Sequence, residues 1–188
     1  MADREKRVRK FTLIIKAYPI VLVLMGVGVN MLAFGVSAPA LALPSREILA
    51  ALIVSGVLLV LNHTWLMTAT ELTRLRHTMY ATHEEWVQNG VRKEDVDEQG
   101  WIELERHHNA HRNATENTVY FVLLAPILCL ISPSTLVAQT WLIGFAVSRL
   151  GYTLGALRPM AGLRQAAMSF SLLALYGLSS YLVLSLFA

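Results

Sequence analysis

The chain has 188 residues, 55% of them hydrophobic and only 15% charged, with a formal net charge of +3 at pH 7 and a mean hydropathy of +0.49. A soluble domain of this length carries more charge, so the composition points to an integral membrane protein. The cationic excess needs no nucleic acid to explain it, because it orients the chain and faces anionic lipid headgroups.

A helix needs about 20 apolar residues to cross the hydrocarbon layer. Five segments qualify, at roughly 11–35, 48–70, 114–132, 135–157 and 165–187, and the expected fold is an all-α membrane helical bundle. No strand-like alternation argues for a barrel. The first segment follows the basic tail MADREKRVRK and precedes SAPALA at 37–42, which contains a small-x-small site. The apolar run between them is about 25 residues, longer than the ~7–15 of a signal-peptide core, so it is expected to be a retained helix.

After the second segment comes a polar connector, 71–113. ELTRLRHTMYATHEEWVQ continues the helical spacing through Leu72, Leu75, Met79 and Trp86, and Asn89-Gly90 then breaks it. VRKEDVDEQG reads as a solvated loop, and helix is expected to resume near Trp101 and run without Gly or Pro until Pro126. The third and fourth segments meet at a short turn around SPST, and the fourth and fifth at RPMAGLR.

Basic residues fall on one side of this arrangement. Arg4, Lys6, Arg7, Arg9 and Lys10 precede the first helix, the connector holds Arg74, Arg76, Arg92, Lys93, Arg106 and Arg112, and the last turn adds Arg158 and Arg164. The opposite side has only Arg46, so the N-terminus and the connector are predicted to be cytoplasmic. Cys129 is the single cysteine, which excludes an intrachain disulfide and reads as a packing residue.

The stretch ERHHNAHRNATEN, 105–117, carries polar side chains into the third segment. Glu105, Asn109, Arg112 and Glu116 share a face, with Asn113 beside it. Arg149 lies roughly 12 Å from the cytoplasmic end at 1.5 Å per residue, too deep to snorkel, so Glu116 is its expected internal partner. Tyr152 lies one turn further on the same face. Arg164 stands at the start of the fifth segment, where free backbone N–H groups favour an anion. Arg112, Asn113, Glu116, Tyr152 and Arg164 are therefore expected to line a polar pocket for a small anionic ligand. A structural ion pair and a bridging amide would use the same residues, and both readings stay open here.

His107 and His111 are spaced i, i+4, with His108 between them and His77 and His83 upstream, a spacing that suits a metal on a helix face. Six histidines are too few for the clusters of a membrane di-iron oxidase, and beside Arg and Glu they read as hydrogen-bonding groups. No metal is assigned.

ERHHNAHRNATEN resembles the signature of the MAPEG family, membrane-associated proteins of eicosanoid and glutathione metabolism. The match lies in Ala110, His111, Arg112, Asn113 and Glu116, and the resemblance extends through TRLRHTMYATHEEW and SRLGYTLGALRPMAGLR. It implies a four-helix domain over 48–188, with 1–47 forming a tail, an extra transmembrane helix and a loop. It further implies a homotrimer that binds glutathione as co-substrate between subunits and acts on a lipophilic small molecule drawn from membrane lipid. Arg112, Asn113 and Glu116 would hold the charged ends of glutathione, with Arg74, Asn109, His111 and Tyr152 also at the binding site. Arg164 would sit beside the thiol as the catalytic residue. The implied activity is a transferase or peroxidase in the bacterial inner membrane or endoplasmic reticulum.

The sequence departs from the family pattern at Asn62 and Asn109, where the family has basic residues, and at Ala156, where several members have tyrosine. Gln165 replaces a serine of prostaglandin E synthases, which argues against that particular synthesis. These departures and the added helix leave a second reading, a non-catalytic accessory subunit of a larger membrane complex.

Overall fold

The computed structural model describes residues 2–188, with side chains from Arg4 onward. It is helical and contains no strand among the described residues. Helix α1 (Ala2–Val29) runs into a π turn at Asn30–Phe34. Helix α2 spans Arg46–Arg76 and is capped by Ser45, whose hydroxyl accepts from Ile48 N. A short α3 (His83–Asn89) precedes α4 (Glu98–Leu130), capped by Asp97. Helices α5 (Thr135–Ala138), α6 (Gly144–Leu157) and α7 (Ala161–Ser185) complete the chain.

Among the described residues, four helices are long and apolar enough to cross a membrane: Arg4–Phe34, Arg46–Arg76, Glu98–Leu130 and Ala161–Ser185. The expected fourth segment, 135–157, is helical throughout, but a π turn at Gln139–Ile143 divides it into α5 and α6. That turn carries the buried Trp141.

The expected continuation of α2 to Trp86 does not form. Thr78 adopts a left-handed conformation (φ 54°), which stops α2, and a capping box between Thr82 and Glu85 starts α3 afresh. Met79 and Trp86 are buried in a small satellite core with Leu104, whereas Leu72 and Leu75 are exposed. The connector is more ordered than a solvated loop: Lys93–Asp95 makes a 3-10 turn, and α4 begins at Glu98 rather than near Trp101. Glu103 ties the end of α2 to α4 by accepting from Thr73 (3.0 Å) and Arg76 (2.8 Å).

Helices α2, α4, α6 and α7 pack around a core of Phe121, Leu128, Leu142, Phe145, Leu178 and Tyr181. Phe121 and Phe145 stack with centroids 4.4 Å apart. In lipid, apolar burial does not itself drive helices together, so close packing and interhelical hydrogen bonds carry the association.

Helix α1 lies along α7, and the two run parallel: Tyr18 meets Ser169 near one end and Asn30 meets Gly177 and Ser180 near the other. A Cβ at Gly26 would stand 3.0 Å from the Gly177 backbone, and one at Gly177 would stand 2.5 Å from the Trp141 ring. Only two glycines let the helices and the indole meet this closely. Asn30 is fully buried there, donating to Gly177 O (2.7 Å) and Ser180 Oγ (2.9 Å) while accepting from Trp141 Nε1 (2.9 Å).

Candidate functional site

The polar residues of α4, α6 and α7 converge at the end of the bundle that carries the connector. Arg149, Tyr152 and Ala156 share one face of α6 by their i, i+3, i+7 spacing. Gly155 brings α7 against α6, since a Cβ there would fall 2.6 Å from Arg164 N. The first turns of α7 are thereby held at the end of α6, with Arg164 beside Tyr152.

Two depressions meet at those two side chains. One, of about 300 Å³, is lined by Glu105, Arg106 and Asn109 of α4 with Tyr152, Ala156 and Arg164. The other, of about 390 Å³, is lined by Tyr18, Gln165, Met168 and Ser169 together with Tyr152 and Arg164. The first is charged on both signs, and the second is flanked by a thioether and an aromatic ring.

Arg149 supports this wall from behind. It is fully buried, and its Nη2 donates to Asn113 Oδ1 (2.7 Å), while Nη1 lies 3.5 Å from Ser171 Oγ and 3.7 Å from Met168 Sδ. Its guanidinium lies over the Tyr152 ring, 4.6 Å from the centroid, a cation–π contact that fixes the tyrosine. The expected partner, Glu116, is not used: no carboxylate lies within 4.0 Å of Arg149 among the described residues. Asn113 and Glu116 are three residues apart on α4, and the rotation of that helix turns the amide inward and leaves Glu116 exposed.

The structure thus gathers Asn109, Tyr152 and Arg164 at one depression, with Asn113 one contact away through Arg149. The other anticipated residues lie elsewhere in the single chain. Arg112 and Glu116 are exposed and make no ion pair with each other or with any described residue. Arg74, half-buried at the end of α2, bonds Glu71 and His108. His111 faces a larger apolar groove of about 600 Å³ between α2 and α4, 6.0 Å from His63 between ring centroids. Asn62 lines the same groove, buried, with its Oδ1 lacking a hydrogen-bond partner among the described residues. Among the described residues no three His, Cys, Asp or Glu side chains cluster closely enough to hold a metal ion.

Among the residues at the depressions that the sequence does not mark as site candidates are Arg106 and Tyr18. Arg106 carried a signal only as one more basic residue of the connector. Tyr18 had none, since neither the basic start of α1 nor its apolar run singles out a face by its spacing.

Residues 52–184 match the MAPEG family. The chain belongs to that family. A curated MAPEG relative, the prostaglandin E synthase of Equus caballus, is 31% identical over 123 residues, covering 64% of this chain and 78% of that protein. Membership makes this a membrane protein of a glutathione-related family, in keeping with its four long apolar helices. The matched residues contain α4, α6 and most of α2 and α7, and α1 lies before them.

Proposed function

We propose that this MAPEG protein is a glutathione-dependent transferase or peroxidase acting on lipophilic electrophiles or hydroperoxides. One observation carries the reading: Tyr152 and Arg164 form the shared wall between a charged depression and a second one that Met168 and Tyr18 make more apolar. Glutathione has two carboxylates and an ammonium group, and Arg106, Arg164 and Glu105 offer complementary charges. Arg164 lies in the first turn of α7, where its charge and the helix N-terminus both favour a thiolate over a thiol.

With an electrophile, the thiolate forms a C–S bond while the leaving group departs with the bonding electron pair. With a hydroperoxide, the thiolate attacks the terminal oxygen and the O–O bond breaks. The alkoxide takes a proton to become the alcohol. A second glutathione then converts the sulfenic acid to the disulfide and water. Tyr152, held by Arg149, is placed to hydrogen-bond the sulfur or the departing oxygen.

Arg112 and Glu116 face outward from a membrane-spanning helix without an internal partner, and an exposed charge in lipid is costly. A homotrimer with glutathione bound between copies would cover both, in line with the trimers of this family. The bacterial inner membrane or the endoplasmic reticulum, with the N-terminal tail in the cytoplasm, fits the basic residues of the tail and connectors.

Calorimetric titration of glutathione into detergent-purified protein, beside an Arg112→Ala, Glu116→Ala double variant, tests the reading. Saturable binding in the wild type that the variant loses supports it. Absence of binding at millimolar glutathione sinks it and favours the accessory-subunit reading, to which the substituted Asn62, Ala156 and Gln165 and the added α1 lend weight.

A further inference from the structure

We infer that α1, which precedes the family-matched residues, supplies one wall of the subsite for the lipophilic substrate, and that Tyr18 is a specificity-determining residue there. The inference rests on the glutathione reading above and extends it to the second substrate.

Three observations support it. Tyr18 Oη donates to Ser169 Oγ at 2.7 Å, and Ser169 Oγ donates onward to Gln165 O at 3.0 Å. The tyrosine is therefore anchored to α7 one to two turns after Arg164, with its ring in the wall of the 390 Å³ depression. Second, that depression shares Tyr152 and Arg164 with the charged one, so a thiolate held at Arg164 faces both. A molecule meeting the sulfur from the second depression must lie against Tyr18 or Met168. Third, α1 is fixed rather than loosely apposed. Asn30, about 18 Å further along α1 at 1.5 Å per residue, is locked to Gly177, Ser180 and Trp141. Without α1, the depression would be open to lipid on this flank, and the remaining wall would come from α6 and α7 alone.

The geometry selects a class of substrate: a lipophilic molecule whose reactive end reaches Arg164 and Tyr152 and whose apolar body packs on the Tyr18 ring. The same position makes Tyr18 unimportant for glutathione itself, because it does not line the charged depression.

The test compares two ligands in one assay, glutathione and S-hexylglutathione, by calorimetry on the full-length protein. The variants are Tyr18→Ala and Tyr18→Trp, the second keeping an aromatic contact with α7 while narrowing the depression. Both variants are expected to bind glutathione as the wild type does. Tyr18→Ala should bind S-hexylglutathione about fivefold more weakly through loss of one aromatic contact, and Tyr18→Trp should weaken it by more than about twofold because the larger ring fills the depression. If glutathione binds and S-hexylglutathione affinity stays within about twofold of wild type in whichever variant retains the wild-type melting temperature, the role of Tyr18 is refuted while the glutathione reading stands. If the wild type binds neither ligand, the glutathione reading fails and takes this inference with it.

Discussion

Replacing Asn30 with leucine, of similar volume, tests how α1 is held. The amide makes three hydrogen bonds, but its loss does not strand three groups. Ser180 Oγ still donates to Gly177 O at 3.0 Å, so those two retain each other. The Trp141 indole N–H is the donor left with nothing, since Asn30 Oδ1 is its only hydrogen-bond partner among the described residues. An orphaned buried donor costs about 1–3 kcal/mol, and interhelical hydrogen bonds in membranes average about 0.6 kcal/mol each. Together these give a destabilisation of about 2 kcal/mol. Reversible unfolding in mixed micelles titrated with sodium dodecyl sulfate, followed by circular dichroism, would read it. The matching Trp141→Phe cycle should show coupling between the two positions. A change below about 0.5 kcal/mol would refute the view that this network anchors α1.

Other substitutions probe the same framework. Gly177→Ala should destabilise by about 1–3 kcal/mol in that titration, because the new methyl would stand 2.5 Å from the Trp141 ring. Asn113→Leu removes the short bond to Arg149 Nη2 and should cost about 1.5–3 kcal/mol while loosening Tyr152, seen as a fall in turnover with lipophilic electrophiles. In the connector, the Arg92 guanidinium hydrogen-bonds the Asp95 carboxyl and holds it below its ordinary range. The small contribution of this pair to stability is present at neutral pH and fades as pH falls through the lowered value. Arg92→Ala should move the Asp95 carbon NMR titration upward.

Much of the bundle was legible because hydropathy and basic-residue placement report directly on the solvent around each segment. Apolar length marked four of the five expected spanning segments, the other, 135–157, being divided by the π turn at Gln139–Ile143. The basic residues of RPMAGLR and the connector mark the polar ends of their helices. The end of α2 is hidden from spacing because Leu72, Leu75, Met79 and Trp86 keep a helical period across a real break. The break is chemical rather than periodic: Thr82 and Glu85 form the Thr-x-x-Glu capping box, visible in the sequence but outweighed by the apolar pattern.

The site was legible in composition but not in phase. Spacing brought Arg149 toward α4, yet Asn113 and Glu116 differ only by how far that helix rotates, and packing decides that. The π turn around Trp141 has no sequence signature, and neither does the contact of Tyr18 with α7. Both depend on two helices meeting whose glycines, Gly26 and Gly177, lie far apart in the chain.

Whether Arg164 holds glutathione as a thiolate is read from the ultraviolet thiolate difference band on adding glutathione to the wild type and to Arg164→Gln. A saturable band is expected near neutral pH in the wild type and should disappear in the variant while glutathione still binds. A wild type that binds glutathione without the band, or a variant that keeps the band at full strength, would contradict that role of Arg164.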